Sequence, residues 1–403
     1  MQKTPILAAA VILILALGAG AYFYFSSGAP SVAVAPTGSA GLPVAGQTTS
    51  GGSDTTGGGT TPVISAPGTP VVVSPKLVQI SVGPVVPGAV VVDTKAGTAS
   101  SSPDVTVSYI ERQSGNVFTY LARTQTLTRI NNKTIPGIQS AAWLPDASVA
   151  FVRYLSGDTF TTINTYALAA TSSQGFFLPQ NLNGIAVAST SILTLASGVN
   201  GSIASLSRTD GTHPTTLFTT PLTSARIAFA GKNQYVLFSK PSSTLSGDAF
   251  LVTSAGRFSR IAGPLNGLVA LPSPSGKWLL VSYTESSSMR LELVNTGTGA
   301  VLVLPISTIA DKCVWSADES SAYCGVPMSP PVASYPDDWY QGAVQFSDKI
   351  WKINITGRYA QMVLDFSGAN KGALDAMALA IDRANTTLVF MNKNDDSLWS
   401  YAL

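Results

Sequence analysis

Six short segments, each closing an apolar run with a polar turn, recur along the chain at a nearly constant interval. They are Ala142-Trp143-Leu144-Pro145-Asp146, Ala186-Val187-Ala188-Ser189, Ala228-Phe229-Ala230-Gly231, Ala270-Leu271-Pro272-Ser273-Pro274, Val314-Trp315-Ser316-Ala317-Asp318 and Ala380-Ile381-Asp382. Positions 143, 187, 229, 271, 315 and 381 lie 44, 42, 42, 44 and 66 residues apart, which is the period of a four-stranded propeller blade. A chain of 403 residues has room for several ordinary domains, but repeats of this length close into one ring.

Between the repeats, apolar and polar positions alternate with the period of two that a half-buried strand needs, as in Leu77 to Ser81, Leu127 to Asn131 and Phe258 to Ala262. Leu127 to Asn131 ends shortly before the Trp143 repeat; the same offset from Ile80 places a further innermost strand at Gly88 to Asp93. Seven units then fill Lys76 to Leu403 at about 47 residues each. The last unit, with Met377 to Ile381, Leu388 to Met391 and Leu398 to Tyr401, stops one strand short, while the start of the ring carries one strand too many. Leu77 to Ile80 is therefore expected to complete the final blade. The fold class is all-β, a seven-bladed β-propeller closed by an N-terminal strand, and closure removes the open edges that invite aggregation.

Residues Ile6 to Phe25 are 20 consecutive uncharged, mostly apolar positions, enough for a helix to cross the ~30 Å hydrocarbon core of a membrane. Lys3 precedes them, which keeps the N-terminus cytoplasmic and exports the rest; Tyr22 to Phe25 would sit at the outer interface. The alternative is a cleaved secretory signal with Ala19-Gly20-Ala21 as its site. The expected organisation is a transmembrane signal-anchor at 1–25, a flexible linker at 26–75 and the propeller at 76–403. Asp54 is the linker's only charge, and a Gly/Ser/Thr/Pro-rich tether of this length spans ~40 Å. Either N-terminal reading places the ring outside the cytoplasm, at the cell surface or in a periplasm.

Trp315-Ser316-Ala317-Asp318 and Trp143-Leu144-Pro145-Asp146 resemble the W-S-P-D-G signature of TolB-type, WD40-like bacterial propeller repeats, and Asp210-Gly211 falls where such repeats turn between their third and fourth strands. Ala188-Ser189, Ala230-Gly231 and Asp382-Arg383 depart from that signature. The resemblance implies a ring that serves chiefly as a protein-interaction platform.

Cys313 and Cys324, the only cysteines, flank the turn 317–320 symmetrically. A hairpin sets them on facing positions, where a disulfide in an exported chain is worth about 3 kcal/mol; two buried free thiols are the alternative. No Cys-x-x-Cys and no nearby histidine suggest a metal. His213, the only histidine, lies in a turn sequence, and no G-x-S-x-G elbow is present.

The long 66-residue step contains an insertion at about Pro327 to Asp348, with Tyr335, Asp337, Asp338, Trp339 and Tyr340 at its centre. Aromatics beside acids have the composition of a recognition loop; equally, Trp339 and Tyr340 can fold back as a cover over the blade. The seventh blade contributes Asp395 and Asp396 to the same face. Four such carboxylates could take Ca²⁺, a cation that needs six to eight oxygens, or bind a basic partner, although Lys393 and the lack of a Gly-spaced loop speak against the ion. No other cofactor is indicated.

With 23 basic and 21 acidic residues in a chain that is only 11% charged, no footprint for nucleic acid is present. The expected function is a membrane-tethered, non-catalytic module that binds a protein or an envelope polymer. The alternatives are an exported glycan-active enzyme using Asp146, Asp318 or Asp382, with propeller carboxylates ~5 to 9 Å apart, and a structural spacer in envelope assembly.

Overall fold

The computed structural model describes residues 76–94, 104–133, 135–172, 174–367 and 372–403. The expected anchor at 1–25 and linker at 26–75 lie outside these residues. Among the described residues, no helix is long and apolar enough to cross a membrane.

Seven four-stranded antiparallel sheets form the ring. Their innermost strands are Val90–Thr94, Ile138–Trp143, Leu182–Val187, Ala225–Phe229, Val269–Pro272, Cys313–Trp315 and Ala376–Ile381. The repeats that set the sequence period end these strands, or lie just past them. Each is followed by a polar hairpin and a second strand whose core is an unbroken apolar run, such as Leu279 to Val281 or Leu388 to Met391, buried because blades pack on both of its faces. Tryptophans tie neighbouring blades together. Trp143 Nε1 donates to the Gly88 carbonyl at 2.9 Å, and Trp315 Nε1 to the Leu271 carbonyl at 3.2 Å.

The seam closes as the strand count requires. Leu77–Gln79 is the outermost strand of the seventh blade and pairs antiparallel with Leu398–Ala402, in the register Leu77 to Tyr401, Val78 to Ser400 and Gln79 to Trp399. Beyond the strand, Ile80 N–H donates to the Leu398 carbonyl at 2.8 Å, and Ser81 Oγ accepts from Leu398 N–H at 2.9 Å. Cys313 and Cys324 are disulfide-bonded on directly paired positions of the sixth blade's first two strands.

Antiparallel order divides the connections between two faces. Links from second to third strands, and from each blade to the next, emerge on one, called here the loop face; first-to-second and third-to-fourth turns emerge on the other. Ala402 N–H donates to the Lys76 carbonyl, so the chain joins the ring on the face opposite the loop face.

Removing residues 1–81 deletes the closing strand, whereas removing 1–75 spares it. The shorter deletion is expected to unfold in one cooperative step like the full ring, and the longer one to show a lower denaturation midpoint and concentration-dependent aggregation by light scattering.

Candidate functional site

The insertion runs from the second strand of the sixth blade, Ser321–Pro327, to the third, Asp348–Asn354. At its centre is the short helix Asp337–Gln341, with Asp337 and Asp338 in its first turn, where carboxylates suit the exposed N–H groups. Asp338 Oδ2 accepts from Ser334 N–H at 2.7 Å. The helix ends at Gly342, whose φ of 78° is the left-handed conformation that glycine adopts without strain.

Its aromatics do not all face solvent. Tyr335 and Trp339 are 2% and 1% exposed, while Tyr340 remains 39% exposed. Of the two readings of this segment, recognition loop or cover, Tyr335 and Trp339 follow the second and anchor it as a cover, while Tyr340 stays partly exposed. The physical reason is what lies beneath them.

Lys312, just before the sixth blade's first strand, is fully buried, and so are Asp348 and Asp375. Its Nζ sits 2.8 Å from Asp348 Oδ2 and also bonds Asp375 Oδ1. The Trp339 and Phe346 rings lie 5.0 and 5.1 Å from the ammonium, within cation–π range. Asp375 Oδ2 accepts from Trp339 Nε1 and from Phe346 N–H, both at 3.0 Å. Trp339 and Phe346 therefore close over an ion cluster that would otherwise be open to water. Asp348 Oδ2 takes Ala376 N–H at 2.6 Å, whereas its Oδ1 has no protein partner. Burial pushes the Asp348 carboxyl up to about 6; Lys312 opposes the rise and the Asp375 charge adds to it.

A second set of contacts holds the cover on its channel side. Arg226, on the innermost strand of the fourth blade, forks onto Asp311 at 2.7 and 2.9 Å. Tyr340 Oη donates to the same carboxylate at 2.7 Å. The protein packed around the Tyr340 hydroxyl, then the Asp311 charge, raise its pKa well above the usual phenol range, with Arg226 acting the other way. Desolvation alone would lower the Arg226 pKa, but Asp311 and Tyr340 reverse this and raise it. Asp337 Oδ2 accepts from Ser243 N–H and Oγ at 2.8 and 2.7 Å, and Thr284 Oγ1 donates to the Tyr335 carbonyl at 2.8 Å. A segment of the sixth blade thereby lies across the fifth and reaches the fourth.

Asp395 and Asp396 share the loop face but not this cluster. Asp395 Oδ1 is bonded by Asn392 Nδ2 and by Ser397 N–H and Oγ, all within its own turn. Asp396 pairs with Arg112 of the first blade and so braces the seam. The four carboxylates weighed as a possible Ca²⁺ site answer to four different partners. Among the described residues, no group of three or more His, Cys, Asp or Glu is placed to hold a metal.

On the opposite face, the three carboxylates that follow innermost strands each cap their own turn. Asp146 Oδ1 accepts from Ser148 N–H and Oγ at 3.0 and 2.7 Å, and these bonds, the hydroxyl first, lower its pKa. Asp318 Oδ1 takes Ser316 Oγ at 2.6 Å and both Ser320 donors, with the same effect on its pKa. Asp382 binds Thr386 and Thr387 N–H at 2.8 and 2.6 Å. His213 sits in its turn with φ of 54°, its Nδ1 beside Thr212 Oγ1.

No protein-family model and no curated protein matches the chain. Solved structures do. An oligogalacturonate lyase from Vibrio parahaemolyticus is 8% identical over 81% of this chain and 93% of its own, with a TM-score of 0.55. Hydrazine synthase of Kuenenia stuttgartiensis is 12% identical over 79% and 96%, with a TM-score of 0.52. TolB from Acinetobacter baumannii is 12% identical over 69% and 80%, but its TM-score of 0.44 gives that likeness no weight. At such identities the likeness shows the propeller fold alone.

The cluster Lys312, Asp348, Asp375, Arg226 and Asp311 was not among the residues expected from sequence. Its one signal is position: Asp311-Lys312 and Asp375 immediately precede innermost strands, in a chain where charge is scarce.

Because the folded pKa of Asp348 lies above its ordinary 3.8, its contribution is fully present below that value and is lost as the pH rises through about 6. Urea midpoints should therefore show the ring gaining about 1 kcal/mol between pH 8 and pH 5 from this group, and Asp348→Asn should flatten that slope. Lys312→Met strands two buried carboxylates and is expected to cost about 3 to 5 kcal/mol in the same assay.

Proposed function

We propose that this protein is a non-catalytic binding module, held at a membrane by residues 1–25 and 26–75 and displaying its ring outside the cytoplasm to a protein partner. The observation that carries this reading is how the polar groups of the loop face are used. Arg226, Asp311, Asp337, Asp375 and Asp396 are each committed to fixing the surface across blade boundaries, and none is left aimed at a shared reacting atom. A surface whose shape is set before a partner arrives loses little entropy on binding, which is what a display platform requires.

The enzyme alternative draws on the fold shared with a protein named as an oligogalacturonate lyase. The carboxylates it would use here, Asp146, Asp318 and Asp382, each have a structural task in their own turn. The bonds to Asp146 and Asp318 lower their carboxyl pKa, which makes each a weaker proton acceptor.

Two measurements test the proposal. In cells that make the full chain, it is expected in the membrane fraction, with the ring degraded by protease added outside a permeable or removed outer layer; a protected ring would contradict it. Asp382→Asn should lower the unfolding free energy by about 1 to 2 kcal/mol through loss of its turn cap. Should the full chain cleave oligogalacturonate or another glycan, and should that turnover vanish in Asp382→Asn or Asp146→Asn with the fold intact, the enzyme reading replaces this one.

A further inference from the structure

On the face opposite the loop face, the residues that follow the innermost strands surround the mouth of the central channel, and they are not used alike around the ring. In the fourth to sixth blades these turns are tied to one another. Glu319 of the sixth accepts from Ser275 N–H and, at 2.6 Å, from Ser275 Oγ of the fifth. Gly231 of the fourth lies so close to the fifth that a Cβ there would stand 2.1 Å from the Ser275 carbonyl oxygen. Residues at the same level of the seventh, first, second and third blades instead line a cavity of about 370 Å³, within the size of small-molecule sites.

Four polar residues line this cavity, one from each blade: Arg383 from the seventh, Asp93 from the first, Asp146 from the second and Ser189 from the third. Among the described residues, none hydrogen-bonds or ion-pairs with the side chains of Arg383, Asp93 or Ser189, and Asp146 uses only Oδ1, within its own turn. Opposite charges thus stand in one recess without pairing, with room between them for a further molecule.

We propose that this recess binds a free amino acid or short peptide as its zwitterion, with the carboxylate on Arg383 and the ammonium between Asp93 and Asp146. The inference goes beyond the binding-module reading and does not rest on it. Charge chooses the ligand. Two carboxylates against one guanidinium leave the recess net negative, so a wholly anionic ligand is repelled, while a ligand of both signs meets a complementary group at each end. Arg383 offers the planar fork that takes a carboxylate through two parallel bonds. The acceptor-only carboxylates suit the three donors of an ammonium, and the Ser189 hydroxyl can serve a peptide group. The remaining walls, Val91, Val92 and Pro145, are aliphatic, and no aromatic ring lines the cavity for a nucleobase to stack on.

Isothermal titration of the full chain tests this, with alanyl-alanine and lysyl-alanine as probes. Both should bind saturably at one site per chain, the second more tightly for its extra cation. N-acetyl-alanyl-alanine and alanyl-alanine amide, each lacking one of the two charges, should bind at least about tenfold more weakly. Arg383→Gln and Asp93→Asn change exposed side chains and should leave the denaturation midpoint unmoved, yet each should weaken alanyl-alanine about tenfold. Asp158→Asn, an exposed carboxylate on the loop face, should leave binding unchanged. The proposal fails if neither dipeptide binds, if the blocked forms bind as tightly as the free ones, or if binding survives both recess substitutions. Galacturonate binding where the dipeptides do not would assign the recess to an acidic sugar and overturns it as well. None of these results decides the binding-module reading, which rests on membrane fractionation and protease access.

Discussion

The loop face of this propeller depends on the way one buried ammonium group is compensated. Lys312 has no contact with solvent and is met by Asp348, at the end of the insertion, and Asp375, at the start of the next blade. Withdrawing such a charge from water is costly unless carboxylates and further donors surround it. Trp339 and Phe346 complete that surround, one as a hydrogen-bond donor to Asp375 through its indole and both as ring faces over the cation. A segment that would otherwise be a free loop is thus obliged to lie down.

The ring supplies the frame against which this happens. Closure by Leu77–Gln79 against the C-terminal strand fixes the seventh blade, and the Arg112 to Asp396 pair crosses that seam on the loop face. The Cys313 to Cys324 disulfide holds the strand that directly follows Lys312. Arg226 and Asp311 then fix Tyr340 at the mouth of the channel. Polar groups hold the surface in shape.

Much of the architecture was legible in the residues. A period of 42 to 44 residues gives blades whatever their individual side chains, and a strand count short at one end and long at the other locates the seam at Leu77. The insertion's bounds followed from the one long step. Its packing did not, because composition cannot tell an aromatic that meets a partner from one that covers a buried charge. Lys312 and Asp375 are 63 residues apart, and each looks like an ordinary solvated residue until the ring brings them together. The acidic pairs 337–338 and 395–396 were rightly placed on one face but have separate tasks there, since local donors and Arg112 reach them before they can converge.

Amide hydrogen exchange on the full chain tests the central claim, that the insertion is a rigid part of the ring, most directly. The bonded amides of Asp338, Tyr340, Ala343 and Phe346 are predicted to exchange as slowly as those of the flanking strand Ser321–Pro327, in one cooperative unit. Exchange of those four amides at the rate of an unstructured chain, with the strand still protected, would contradict it.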